Sequence, residues 1–145
     1  QQGEVRAHYR IGLIDEKAGT YADALDHYRQ FVGAAQPEDP QRNDAVRRAE
    51  AIEARLQRQS ARTTEFLERG KGLFRKGRYR EAEKVLLRAV SADPSNPEPH
   101  FALGEVYMKL EQYGKARAEY DRAKRSYRLT PGLPPRPALR ILPPR

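Results

Sequence analysis

Few residues in this chain could do covalent or metal chemistry, and none of them is arranged for it. The histidines are His8, His27 and His100, spread along the sequence. His8 and His100 recur at one position of a repeating unit, and His27 falls on a different helix. Equivalent positions in separate units suit packing better than a shared metal. The serines Ser60, Ser91, Ser95 and Ser126 lack the glycine-flanked context of a nucleophile elbow. Arg69-Gly70-Lys71-Gly72 has the composition of a phosphate loop without its spacing or its Ser/Thr after Lys. With no Cys, thiol catalysis, disulfides and thiolate zinc sites are excluded. The sequence therefore reads as non-catalytic, with no metal and no cofactor.

Charge offers more. Arg69, Lys71, Arg75, Lys76, Arg78, Arg80, Lys84 and Arg88 crowd 20 residues that hold only Glu81 and Glu83 in opposition. Within this cluster Arg75, Lys76, Arg78, Arg80 and Lys84 form a basic patch around Gly77, where cations could meet phosphates or anionic lipid headgroups. Helical spacing spreads them over several faces, however. Tyr79 is committed to the core, so no aromatic is left for base stacking. Nucleic-acid or lipid binding through the basic C-terminal half is thus the alternative reading, behind a protein partner. The net charge of +8 comes wholly from residues 63–145, with 18 basic against 10 acidic residues; residues 1–62 balance at 10 and 10.

The elements that would position these residues follow from periodicity. The chain has 145 residues, 38% hydrophobic and 33% charged, a composition suited to helices that each bury one narrow stripe. Gly70, Leu73, Tyr79, Ala82, Leu86 and Ala89 recur as Gly104, Tyr107, Tyr113, Ala116, Tyr120 and Ala123, each pair 34 residues apart. A third, divergent copy precedes them, with Gly12, Gly19, Tyr21, Ala24 and Tyr28 in register. Small residues at fixed positions let helices approach, and the aromatics and Leu fill the space between them.

This pattern resembles the tetratricopeptide repeat family, and the resemblance covers about 102 residues. It implies an all-α, right-handed solenoid of about three helix–turn–helix repeats. The divisions are 5–38 for the divergent repeat, 39–62 for a helical insert, 63–96 and 97–130 for two regular repeats, and 131–145 for an extended Pro-rich tail. Helices are expected over 5–18, 21–34, 41 to about 76, 79–92, 98–111 and 114–127. Gly19 and Gly77 supply turns, and Asp39-Pro40 suits a helix start. The long helix follows from the absence of Gly and Pro between Gln41 and Arg69. Phe31 stands where the other copies have Ala89 and Ala123, and its ring should push the next helix outward.

The resemblance also implies a function. Members hold a peptide or partner helix in a concave groove lined by the first helix of each repeat. Carried onto this sequence, the lining is Tyr9, Leu13, Leu67, Lys71, Phe74, Arg75, Phe101, Glu105, Met108 and Lys109. The apolar members call for aliphatic or aromatic partner side chains, and Lys71, Arg75 and Lys109 for acidic character beside them. The Lys/Asn pairs of carboxylate-clamping members are missing. The insert's stripe Val46, Ala49, Ile52 and Leu56 is a candidate for self-association. Pro131, Pro134 and Arg136 have the spacing read by proline-recognition domains. No apolar run approaches 18 residues, so nothing is expected to span a membrane, and the compartment, cytoplasm or periplasm, is left open. The chain opens on Gln1 without Met, as a processed or excised piece would. Its Arg- and Ala-rich composition is that of a GC-rich bacterial genome.

Overall fold

The computed structural model describes residues 1–129. They form six helices: α1 Gln2–Ala18, α2 Tyr21–Ala34, α3 Arg42–Arg75, α4 Tyr79–Ala92, α5 Pro97–Lys109 and α6 Tyr113–Leu129. There is no strand among the described residues. The chain divides into two compact units, Gln1–Arg62 and Thr63–Arg145, and α3 contributes to both. The Pro-rich tail, with its Pro131, Pro134 and Arg136 pattern, lies outside the described residues.

Each helical hairpin is closed by the same backbone device. Gly19 (φ 81) and Gly77 (φ 75) take the left-handed conformation after α1 and α3. The next amide then reaches back five residues, from Thr20 to the Asp15 carbonyl and from Arg78 to the Leu73 carbonyl, both at 3.0 Å. The third hairpin makes the same bond from Gln112 to Tyr107 at 2.9 Å. Its left-handed residue is Glu111 (φ 59), which carries a Cβ and accepts a strain of about 1–2 kcal/mol. This turn ends α5 at Lys109, two residues short of the expected end. At its other end α5 starts on Pro97, because proline lacks only an amide that the first turn does not use. Asn96 Oδ1 accepts from the Glu98 amide at 3.0 Å and caps it. The start of α3 is drawn in differently. Asp39 Oδ1 accepts from the Gln41 amide at 2.8 Å, and Pro40 lies in the turn rather than in the helix.

Inside the hairpins one contact repeats three times. A Cβ added at Gly12 would lie 2.8 Å from the Tyr28 ring, at Gly70 2.5 Å from Leu86, and at Gly104 2.6 Å from the Tyr120 ring. The glycine stands in the first helix, its partner 16 residues later in the second. Only glycine permits that approach.

Two hydrophobic cores result. The first joins Ala24, Leu25, Tyr28, Phe31, Ala45 and Ile52, with Ala49 and Leu56 packed against them. Most of the insert's stripe is therefore spent on its own unit's core, which corrects its assignment as a self-association surface. Phe31 is fully buried, 5.3 Å from the Tyr9 ring, and α3 meets the core with the small Ala45. The larger ring is accommodated by a small residue on the facing helix. The second core joins Leu67, Ala82, Leu86, Ala102, Leu103, Val106, Tyr107 and Ala116. Tyr113, in register with the half-buried Tyr79, is 54% exposed. Tyr79 rests on the Phe74 ring at 5.4 Å, but the residue in register with Phe74 is Met108, and Tyr113 has no ring neighbour among the described residues.

Replacing Gly70 by Ala should destabilise the fold by roughly 1–3 kcal/mol, because a methyl group there overlaps Leu86. Gly33→Ala meets nothing within 4 Å and should instead stabilise α2 by up to about 1 kcal/mol. Urea denaturation followed by circular dichroism separates the two; equal effects would show that the close approach does not matter.

Candidate binding faces

In the first unit the expected groove residues do structural work. The Tyr9 hydroxyl on α1 donates to Asp44 Oδ2 on α3 at 2.7 Å, and Arg48 Nε donates to the same oxygen at 2.6 Å. Arg48 Nη1 also donates to Glu16 Oε2 at 2.9 Å, and the Tyr28 hydroxyl on α2 donates to that oxygen at 2.7 Å. Two carboxylates, two phenols and one guanidinium thus tie three helices together. The hydrogen bonds from Tyr9 and Arg48 hold the Asp44 carboxyl below its ordinary range. Desolvation and the neighbouring carboxylates push the Tyr9 and Tyr28 phenols upward. Leu13 is half-buried against the first core and borders a concavity of about 480 Å³ with Glu16, Lys17, Tyr21 and Arg48. Arg55 lies over the Tyr21 ring at 4.3 Å, a cation–π contact.

In the second unit the expected set divides into core and surface. Leu67 is 4% exposed and belongs to the core, so it cannot line a groove. Phe74 is half-buried against the core. Phe101 is half-buried on the Tyr120 ring at 5.6 Å, and Met108 is partly buried beside the core. Arg75, Glu105 and Lys109 are exposed. Lys71 sits 3.7 Å from Glu68 and 3.8 Å from Glu98, so it bridges α3 to α5. That occupancy weakens the expectation that Lys71 selects an acidic partner. Desolvation raises the Glu105 carboxyl above its usual range, with Lys71 opposing. Lys71, Phe74, Phe101, Glu105 and Met108 are thereby borne on two helices of one unit. Tyr120, which supports Phe101, was absent from the expected lining because it lies on the second helix of its hairpin; its register with Leu86 was the available signal.

The basic patch is exposed throughout. Arg78 grips Glu81 with two nitrogens, Nε at 2.7 Å from Oε1, and Arg80 Nη1 is 3.5 Å from Glu83. Lys76, Arg78 and Lys84 border one concavity between α3 and α4, joined by Arg69 and Arg88; Arg75 and Arg80 do not border it.

The histidines are closer than their separation in sequence suggests. His8 and His27 stack with ring centres 5.3 Å apart and Nδ1 atoms at 3.0 Å, and His27 Nε2 is 3.8 Å from Asp15. His100 is buried, its Nδ1 2.7 Å from Glu119 Oε2 and its Nε2 3.0 Å from the Pro94 carbonyl oxygen. His27 and Glu119 occupy one repeat position, as do His8 and His100. One hairpin therefore uses this contact for a ring stack and another for a histidine–carboxylate hydrogen bond. No group of three His, Asp or Glu among the described residues is placed to hold a metal ion. No described helix is long and apolar enough to cross a membrane.

Sequence reasoning missed one exposed apolar pair. Ile11 and Ile14 on α1 are 38% and 64% exposed, whereas Leu103 and Val106, at the same repeat positions on α5, are fully buried. The difference is context, since α4 precedes α5 and covers it.

Because the folded-state Asp44 carboxyl titrates below its ordinary value, the stabilisation it supplies is complete above the ordinary carboxylate range near pH ~4. It is lost as pH falls through the folded-state value. The stability gap between the parent and Asp44→Asn should be widest near neutrality and close in acid. Tyr9→Phe should cost roughly 1–3 kcal/mol at neutral pH. Urea titrations at several pH values measure both, and a pH-independent gap would contradict the network's role.

Comparison with known proteins bears on the second unit. No curated protein matches the chain at a significant level. Solved structures similar to it include two whose descriptions name MamA. One, described as MamA MSR-1 C2, is 14% identical with a TM-score of 0.46, covering 86% of this chain and 78% of that one. The other, described as a crystal structure of MamA, is 16% identical with a TM-score of 0.46, covering 86% of this chain and 79% of that one. The family model described as tetratricopeptide repeat matches residues 67–134, a span that takes in the end of α3, the α4 hairpin partner and the whole α5–α6 hairpin. Over those residues the chain matches the tetratricopeptide repeat family.

Proposed function

We propose that the chain is a non-catalytic protein-interaction module, or assembly scaffold, that holds a peptide or helix of a partner on the α3–α5 face of its second unit. The observation that carries this reading is that Phe101 and Met108 remain only partly buried beside the Lys71–Glu98 bridge. Partly buried apolar side chains amid charged neighbours suit an interface with an apolar centre and a polar rim. Phe74 contributes its outer edge, while Arg75, Glu105 and Lys109 supply the rim. Leu67 takes no part, and Tyr9 acts by holding α3 rather than by touching a partner. With Lys71 already satisfied by carboxylates, the preferred partner segment is mainly apolar, with charge of either sign at its edges.

The test begins with affinity capture from the source cells using the full chain, followed by reconstitution with the purified partner. Phe101→Asp should weaken that complex at least tenfold, since burying one aromatic side chain is worth about 1.5–3 kcal/mol. Far-UV circular dichroism should stay helical. Undiminished affinity in a folded Phe101→Asp variant would remove the α3–α5 face as the binding surface.

A further inference from the structure

The concavity between α3 and α4 has a volume of about 630 Å³ and is bordered by Arg69, Lys76, Arg78, Lys84 and Arg88, with Glu81 its sole carboxylate. Its floor is Gly72, Leu73 and Val85. Glu81 is gripped by Arg78, and that ion pair depresses its carboxyl. Among the described residues Arg69, Lys76, Lys84 and Arg88 form no ion pair, and each is exposed. An unmatched positive field therefore stands over a small apolar floor.

Repeat packing does not require these charges. The positions of Arg69, Lys76, Arg78, Lys84 and Arg88 hold Ile11, Ala18, Thr20, Asp26 and Gln30 in the first hairpin. In the third they hold Leu103, Leu110, Gln112, Ala118 and Arg122. Only one of those ten residues is basic. The location is equally telling. On α5 this face is the one buried against α4, as the fully buried Leu103 and Val106 show. In the second unit α3 is the first helix, so the corresponding face meets no preceding helix of that unit. A face that elsewhere receives a helix is here open and ringed with cations.

The geometry points to this groove as a docking site for an acidic amphipathic helix of a partner protein. Arg69 and Lys76 are two helical turns apart on α3, about 10 Å. With α4 antiparallel, Arg78 lies level with Lys76 near the turn, and Lys84 and Arg88 flank the level of Arg69. Two cationic rungs about 10 Å apart match carboxylates at i and i+7 of a bound helix, whereas one phosphate could meet only one rung. The floor favours a helix too. Gly72 has open space where its side chain would be, with only an Arg75 nitrogen near at 3.9 Å, so a partner backbone can come close. Leu73 and Val85 receive its apolar stripe. The bordering set includes no aromatic on which bases could stack. This groove is separate from the α3–α5 face, and the two proposals stand or fall independently.

The full 145-residue chain tests it by fluorescence anisotropy with a labelled 18-residue peptide of Glu, Ala and Leu, its Leu on one helical face and Glu on both flanks. Binding at low salt should weaken steeply as salt rises. The double variant Arg69→Glu, Arg88→Glu should weaken it at least tenfold, with unchanged circular dichroism, and Arg117→Glu, exposed on α6, should leave it unaltered. Replacing the peptide's Leu by Gln should also abolish binding. No peptide binding at low salt, or equal affinity in the double variant, would overturn the site. Tighter binding of duplex DNA or of phosphatidylserine vesicles than of the peptide, abolished by the same variant, would overturn the occupant.

Discussion

Three hairpins depend on one steric condition, that a helix backbone comes within reach of a large side chain on the next helix. Gly12 under Tyr28, Gly70 under Leu86 and Gly104 under Tyr120 all satisfy it. Mid-helix glycine costs about 1 kcal/mol in backbone entropy. That cost is offset by burying a ring or a leucine, and Tyr28 and Leu86 are fully buried. Every further feature of the hairpins, including the left-handed turns and the small Ala82 and Ala116 nearby, is compatible with that spacing. The faces left for partners are those that the approach does not consume.

The first unit adds a polar solution to the same problem. Its Asp15 stands where the other copies have Leu73 and Tyr107, so part of the apolar contact is missing. The Tyr9–Asp44–Arg48–Glu16–Tyr28 chain supplies cohesion in its place; Glu16 receives two donors and Asp44 three, the third from Arg47. Half-buried carboxylates are tolerated because they are paired with a guanidinium and hydrogen-bonded to phenols. Tyr9 was open to a groove reading because residue type and register alone do not show what a polar tip touches.

Much of the architecture was legible in the sequence for a physical reason. Glycine, alanine and aromatic positions are fixed by helix approach, and helix approach is what defines the fold. The spans of α2 and α4 follow directly from Gly19, Gly77 and the proline runs, and the continuity of α3 from the lack of any breaker. Glu111 shows where such reasoning stops, since a residue with a side chain adopts the turn conformation that sequence assigns to glycine. The candidate faces were less legible. Leu67 and Met108 are both apolar residues in first helices, yet one is buried and the other partly open, which depends on the neighbouring helix. Similarly, exposure of Ile11 against burial of Leu103 reflects what precedes each helix rather than either residue.

Helix α3 has a further consequence. Leu56 is its last residue packed on the first core, and Thr63 is the next buried one. Between them residues 57–62 are exposed, Gln59 in part. This stretch contributes no residue to either hydrophobic core. Local opening there requires no core residue to be exposed, so it should cost less than opening either hairpin. Amide exchange and proteolytic nicking at Arg58 and Arg62 are therefore expected in the middle of the longest helix as well as at loops.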